Sequence, residues 1–532
     1  MRVRLPLSVA LLLACACASD PDPASQPDAG TNDASDGASG CTGTQTSCSG
    51  SCVDTKTSAE HCGGCGLACG TGESCCAGRG CSTESSCALV VSSISPAEGY
   101  IGGGTWVTVT GKGFTAGMSA FVGDGRAPLR VIDATTATIL TPPGPGGSYD
   151  VKLTLGAKTT TLPKAYHYVS QTFTQQWLKI AMSTARGNFP TVTTLQDGRV
   201  LVSGGTVTSD PATSLDSADI YDPKTKAMTP VSSKMSVKRN TAASITLLDG
   251  RALVVGACNY ASGTGCLSAG DRASADLFDP KTNAFSPTKA PLSDATRYYH
   301  RLTLLPDGKV LVVSAGNATA ELFDPATDTF TNVPQTSKNG SFGFPARLRD
   351  GRVLFAGAAF ETYDEENGNV SALTGGFAHG SAAVYVLPDG AVLSPGGADT
   401  VASNVTPTDE VAVYDPKKGQ VSVLAKKLSS PRLKFASALL GDGSVMVAAG
   451  VAAAYPANYG CQGNTFPTTS AVDVVDAAKL LVTPFPPIQE NNMELVATTL
   501  NDGSVLIGGG APCGGAGASP YVYFLQGLPA PN

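Results

Sequence analysis

Charge is scarce in this chain. Asp, Glu, Lys and Arg make up 15% of its 532 residues, and the net charge is −7. No basic tract occurs, so nothing in the charge pattern favours nucleic acid as a partner. Beyond the N-terminus no apolar run reaches the roughly 18 residues of a transmembrane helix. Histidine is rarer still, with four copies. HExxH, a P-loop and a G-x-S-x-G between strand and helix are all missing, which removes the common zinc-protease, NTPase and serine-hydrolase arrangements. What is plentiful is Gly (61), Pro (35) and Cys (16). Low charge with many Gly and Pro suits a turn-rich all-β protein, and so many cysteines suit an oxidising compartment.

Between residues 197 and 503 seven Asp-Gly pairs punctuate the chain, with Asp at 197, 249, 307, 350, 389, 442 and 502. Apolar runs precede and follow each pair, as in LDGRALVVGA from Leu248 and NDGSVLIGGG from Asn501. Asp-Gly between two such runs predicts a hairpin, with the pair supplying the positive φ of a tight turn. A third apolar segment follows each hairpin, as in Ala-Asp-Leu-Phe-Asp-Pro at 275–280 and Ala-Glu-Leu-Phe-Asp-Pro at 320–325. A shorter fourth segment carries Met228, Phe285, Phe330, Val370 or Val421. Four strands recurring about every 50 residues make a propeller blade, and seven hairpins make seven blades. The last repeat lacks a fourth strand, while residues 173–182 read as a fourth strand without a blade, with Trp177 in the place of Phe285 and Phe330. The N-terminal strand is therefore expected to complete the last blade, giving a propeller over 170–527 closed by 173–182 and without two exposed sheet edges.

Four segments precede it. Residues 1–17 combine Arg2 and Arg4 with a short apolar run and read as an export signal. Residues 18–40 hold five Asp, no Lys or Arg and nothing able to form a core, so they read as a disordered acidic tether. Residues 41–87 hold ten cysteines (Cys41, Cys48, Cys52, Cys62, Cys65, Cys69, Cys75, Cys76, Cys81 and Cys87) and almost no large apolar residue. Disulfides must replace a core there; half a zinc site at His61, Cys62 and Cys65 is the alternative. Residues 90–169 show the alternation of half-buried strands at Val107, Val109, Ala120 and Val122.

Long loops from second to third strand put the functional face opposite the Asp-Gly turns. Cys258 and Cys266 share one such loop and are expected to pair; Cys461 and Cys513 lie in loops of adjacent blades and are expected to staple the closure. A basic residue recurs ten or eleven positions before the Asp: Arg186, Arg239, Arg297, His379 and Arg432. With Tyr299 and His300 these form a candidate binding face that attracts an anion. The competing reading has each Arg bonded to carbonyls or to the third-strand acids Asp219, Asp276, Glu321 and Glu361.

Several stretches resemble known families. Leu12-Leu13-Ala14-Cys15 resembles a bacterial lipobox, which implies lipidation of Cys15, with Cys17 as the alternative. The His-Cys-Gly-Gly-Cys segment at 61–65 resembles cysteine-rich segments of secreted myxobacterial proteins. The run ISP…GGT-x-V-T-V…GF…TPP resembles the IPT/TIG family, an immunoglobulin-like sandwich that serves as spacer or binding module. The small residues after each second strand and the AELFDPxT strand resemble the Kelch family and the propeller of galactose oxidase. Arg297-Tyr298-Tyr299-His300 is similar to the Tyr-His pair where those oxidases bind copper, but their second His and their Cys-linked Tyr have no counterpart, so a copper cofactor is not expected. The resulting expectation is all-β: a seven-bladed Kelch-type propeller behind an IPT/TIG sandwich and a disulfide-rich module. The expected role is that of an exported, lipid-anchored protein of the bacterial cell envelope, at the outer membrane or cell surface, that binds a glycan or a surface protein. The alternative is a galactose-oxidase-like copper enzyme or a carbohydrate-active hydrolase.

Overall fold

The computed structural model describes residues 41, 45–55, 58–62, 64–71, 73–75, 81–83 and 88–530, the last stretch without 188, 209–212, 258–268, 316, 341, 381–382, 402–403, 457–466 and 513–516. The signal, the tether and Cys15, Cys76, Cys87, Cys258, Cys266, Cys461 and Cys513 lie outside the described residues. The chain divides into two compact units, Met1–Cys81 and Ser82–Asn532.

In the first unit a small hairpin pairs Thr46–Cys48 with Ser51–Val53. Disulfides join Cys41 to Cys52, Cys48 to Cys65 and Cys62 to Cys75, and Cys69 is also bridged. Cys62 and Cys65 are thus committed to different bridges and offer no thiolate to zinc. The Nδ1 of His61 instead accepts the N–H of Gly66 at 2.9 Å. Cys48 and Cys62, at 4% and 3% exposure, form part of what core this unit has.

The second unit opens with a sandwich. One sheet orders its strands as Leu129–Val131, Thr136–Leu140, Trp106–Lys112 and Val90–Ser95; the other as Glu98–Tyr100, Lys158–Val169, Gly147–Leu155, Ser119–Val122 and Gly125–Ala127. Alternation along Trp106–Lys112 sends Val107 and Val109 inward, against Phe114, Ile139, Val151 and Leu153, all fully buried. Each such side chain contributes about 1.5–3 kcal/mol by leaving water.

Among the described residues the rest is a propeller-like ring of seven four-stranded antiparallel sheets, with one small three-stranded sheet beside it. Their innermost strands touch in succession. Thr246 donates to the carbonyl of Thr194, Arg347 to Leu304 and Thr499 to Leu439. Thr194 in turn donates to the carbonyl of Thr499, so the last repeat meets the first. The outer strand of the last sheet is Gln171–Ala181, paired with Tyr521–Pro529. Trp177 lies opposite Leu525 there, as Phe285 lies opposite Phe278 and Phe330 opposite Phe323.

The Asp-Gly turns differ from expectation in one respect. Gly alone is left-handed, at φ 89° for Gly198 and 91° for Gly250, and Asp is not. Leu195 O accepts the N–H of Gly198 at 3.0 Å, so the turn closes before Gly and Gly forms a bulge. The Asp contributes its side chain: Asp197 Oδ1 accepts the N–H of Arg199, and all seven Asp repeat this bond, through to Asp502 with Ser504.

The sandwich sits on this turn-bearing face. Arg126 N–H bonds the carbonyl of Arg349 at 2.7 Å and Leu129 N–H that of Pro306 at 3.0 Å. Arg126 also pairs with Glu365 and Glu366, at 2.8 and 2.9 Å, and Arg349 pairs with Asp124. Burial first, and then Asp307, raise the Glu365 carboxyl to about 7 against the pull of Arg126. With this face covered, the opposite face carries the long loops free of the sandwich.

Candidate functional site

The recurring arginines do not form a binding rim. Arg186, Arg239, Arg297 and Arg432 are 0% exposed. Arg186 Nη2 meets Asp219 Oδ2 at 2.8 Å and its Nη1 donates to the carbonyls of Gly204 and Ser217. Arg239 repeats this with Asp276, Gly256 and Ser274; Arg297 holds Glu321 at 2.6 Å and Arg432 holds Asp473. Each guanidinium ties the start of its repeat to the third strand, and burial leaves it no access to an anion in solution. Where the pair is absent, both members change or the backbone substitutes. Gly340 leaves Glu361 to accept from Ser337 and from the N–H groups of Lys338 and Asn339. Asn492 accompanies Tyr523 at the acid's place, and His379 accompanies Ala412.

His379 has found other partners. Its Nδ1 lies 2.7 Å from Asp399 and its Nε2 2.7 Å from Glu410. Burial opposes its protonation, but the two carboxylates outweigh burial and raise its pKa. Asp399 belongs to a hairpin, Ala398–Val401 with Asn404–Pro407, that pairs onward with Tyr455–Pro456. The long loops of repeats five and six thus make a small three-stranded sheet, with His379 at its base.

The side chains that do converge come from a different position, eight residues before each Asp. There the backbone turns left-handed at Phe189, Thr241, Tyr299, Lys434 and Glu494, with φ between 49° and 62°. Each costs about 1–2 kcal/mol in a residue other than glycine, so the repeat holds it by its surroundings. Neighbours bond in sequence: Thr241 N–H to Phe189 O at 3.2 Å, and Glu494 N–H to Lys434 O at 2.8 Å. The rings of Phe189 and Tyr299 meet edge to face at 6.0 Å. Lys434 Nζ lies 2.6 Å from Glu494 Oε1. Burial opposes the charge on Lys434, but Glu494 outweighs it and raises the pKa, with Tyr455 and Tyr299 adding to the rise. Tyr455 reaches this group from the small loop sheet and packs on Val451 and Met493. Two phenols, a phenyl ring, an ammonium and a carboxylate thus meet at the mouth of the ring on its loop face. Aromatic edges and faces with a few polar groups among them suit a ligand that is part apolar and rich in hydroxyls.

His300 lies behind the mouth rather than in it. It is 7% exposed, and its Nε2 is buried without a hydrogen-bond partner. Burial, then Arg297 and Arg239, lower its pKa to about 3. A metal cation beside two guanidiniums is disfavoured, and both nitrogens of His379 are occupied by carboxylates. These residues do not fit a copper centre. Among the described residues no group of three His, Cys, Asp or Glu is placed to hold a metal ion. His167 is exposed and bonds Ser148 at 3.0 Å.

Residues 89–168 match the model of the IPT/TIG domain. No curated protein matches the chain. Among solved structures, a fungal alcohol oxidase of the AA5 family, in complex with copper, is similar over 66% of this chain and 76% of its own, at 17% identity and a TM-score of 0.52. A catalytically inactive virginiamycin B lyase from Staphylococcus aureus, with quinupristin, covers 66% of this chain and 99% of its own, at 10% identity and a TM-score of 0.44. The first likeness shows a shared fold: the chain joins an IPT/TIG domain to a ring distantly like the galactose-oxidase and Kelch propellers.

Phe189, Lys434, Tyr455 and Glu494 escape a sequence reading that finds Tyr299 and His300. The position eight before each turn Asp carries no sequence signal of its own, because the residues on both sides of it vary from repeat to repeat as much as it does.

Proposed function

We propose that the chain is an exported, lipid-anchored protein of the bacterial cell envelope that presents a seven-bladed Kelch-type propeller to a glycan or a surface protein. The cluster of Phe189, Tyr299, Lys434, Tyr455 and Glu494 carries this reading, because it gathers ring faces, donors and an acceptor on the face that the sandwich leaves free. The fold shared with the copper-bound alcohol oxidase favours a second reading, an enzyme acting on alcohols or sugars. A glycan array probed with the full chain and with Tyr299→Ala separates the two when run beside a peroxide-release assay on primary alcohols. Binding that Tyr299→Ala abolishes supports the first; turnover with bound copper replaces it with the second.

A further inference from the structure

The innermost strands of the ring are Thr191–Thr194, Ala243–Thr246, Tyr298–Leu304, Phe344–Arg347, Tyr385–Val386, Ala436–Leu439 and Val496–Thr499. They carry hydroxyls, small, aliphatic and aromatic residues, one histidine (His300), no Asp or Glu, and two arginines, Arg301 and Arg347. Both belong to the seam between repeats three and four. Arg301 Nη1 donates to the carbonyl of Phe342 at 3.1 Å, and its guanidinium lies over the Phe344 ring at 3.8 Å. Arg347 Nη1 reaches back across the seam to the carbonyl of Leu304 at 2.9 Å.

Elsewhere in the ring most arginines hold carboxylates. Arg186, Arg239, Arg297 and Arg432 hold third-strand acids, Arg251 and Arg352 hold turn Asp, and Arg349 holds Asp124. Arg301 and Arg347 have no carboxylate within ion-pair distance among the described residues. Both keep some exposure yet are enclosed by protein, and burial lowers each to about 10. Glu365 is the one acid that acts on Arg347 from a distance, and it already pairs with Arg126. At the mouth Lys434 and Glu494 pair and neutralise each other. Phe342 occupies in repeat four the same place, eight before Asp350, that Tyr299 and Lys434 occupy in theirs. The Arg301 guanidinium is thereby set just inside the mouth, with Arg347 about 10 Å deeper by the three-residue offset.

We infer that the bore of the ring is an oxyanion site, with Arg301 as the residue that receives a carboxylate or sulfate group entering from the loop face. A planar guanidinium stacked on Phe344 with one edge on a carbonyl keeps further N–H donors for a two-point contact to such a group. Arg347 makes the deeper bore positive and favours the same sign of charge. The oxyanion has two sources, a free inorganic ion or an acidic substituent of a saccharide.

Calorimetric titration of the full chain with sulfate, glucuronate and glucose at constant ionic strength tests this. Sulfate and glucuronate should bind and glucose should not, and Arg301→Gln should weaken binding at least tenfold. Binding of sulfate without glucuronate assigns the site to an inorganic ion; binding of both admits an acidic sugar. Crystals of the wild-type chain in selenate give a second readout that needs no variant, since the anomalous peak belongs beside Arg301. No binding of either anion, equal binding by Arg301→Gln, or selenate only outside the bore would overturn the inference.

Discussion

Lys434 Nζ stands 2.6 Å from Glu494 Oε1, and the two residues occupy the same place in consecutive repeats. Glu494 is 6% exposed, and that ammonium is the cation it pairs with. Replacing Lys434 with Met leaves a largely buried carboxylate alone and should cost about 1–3 kcal/mol in urea unfolding. Lys434→Met with Glu494→Leu removes both charges and should recover most of that loss. A double variant no more stable than the single one would show that the pair is not coupled.

Arg239 and Asp276 are both 0% exposed and bond at 2.6 Å. Arg239→Met leaves the buried Asp276 without its counter-charge, bonded only by the N–H and hydroxyl of Ser236, and should destabilise by about 3–5 kcal/mol. Arg239→Lys should rescue little, since one ammonium cannot reach Asp276, Gly256 O and Ser274 O together. Ligand affinity measured on the folded fraction should stay unchanged for both, unlike for Tyr299→Ala. A loss of affinity without a loss of stability would return Arg239 to the binding face.

These two pairs show where sequence reasoning succeeds and stops. The repeats are legible because each Asp-Gly turn needs a left-handed Gly and an Asp acceptor at fixed spacing, a local demand. The closing strand is legible because Trp177 fills the slot that Phe285 and Phe330 fill in complete repeats. Val107 and Val109 declare the sandwich by alternation. The recurring arginines are visible, but recurrence is equally compatible with a buried tie and an exposed ring; only their burial decides. Lys434, Glu494 and Tyr455 meet through loops from two repeats, and no spacing in the chain encodes that contact.

His379 should make stability fall with rising pH. Its pKa is raised in the folded chain by Asp399 and Glu410, so the contribution is present below the unfolded value of about 6.5 and is lost as pH rises through the folded value. A neutral imidazole donates to only one of the two carboxylates. The side chain is 22% exposed, which limits the effect to about 0.5–1 kcal/mol. The fall in unfolding free energy between pH 5.5 and 8.5 should be larger in wild type than in His379→Gln. Hydrogen exchange in 398–407 should accelerate over the same range. Identical pH profiles would remove His379 from the base of that hairpin.

Cys15→Ala should move the protein from the membrane fraction to the soluble exported fraction, because a lipid on that thiol is the proposed anchor. Cys17→Ala is the control and should leave it in place. Release by Cys17→Ala alone would transfer the anchor to that residue, and release by neither would refute lipidation.

Gln171 is 3% exposed at the join between the sandwich and the closing strand, and its Nε2 donates to the carbonyl of Asp502 at 2.8 Å. Three glycines make room for it: a Cβ on Gly441, Gly503 or Gly527 would collide with its amide group. Gly503 is left-handed and Gly441 also abuts Tyr100, so Gly527 is the informative one: its backbone is not left-handed, and the three atoms nearest to an added Cβ all belong to Gln171. Gly527→Ala should therefore displace Gln171 and destabilise by about 1–3 kcal/mol. Gln171→Ala costs a hydrogen bond by itself but opens the space that the added methyl group needs. The two changes together should be less damaging than their sum, by an interaction of about 0.5–3 kcal/mol. Strict additivity would mean that Gln171 is not threaded between those glycines, and that the ring closes by strand pairing alone.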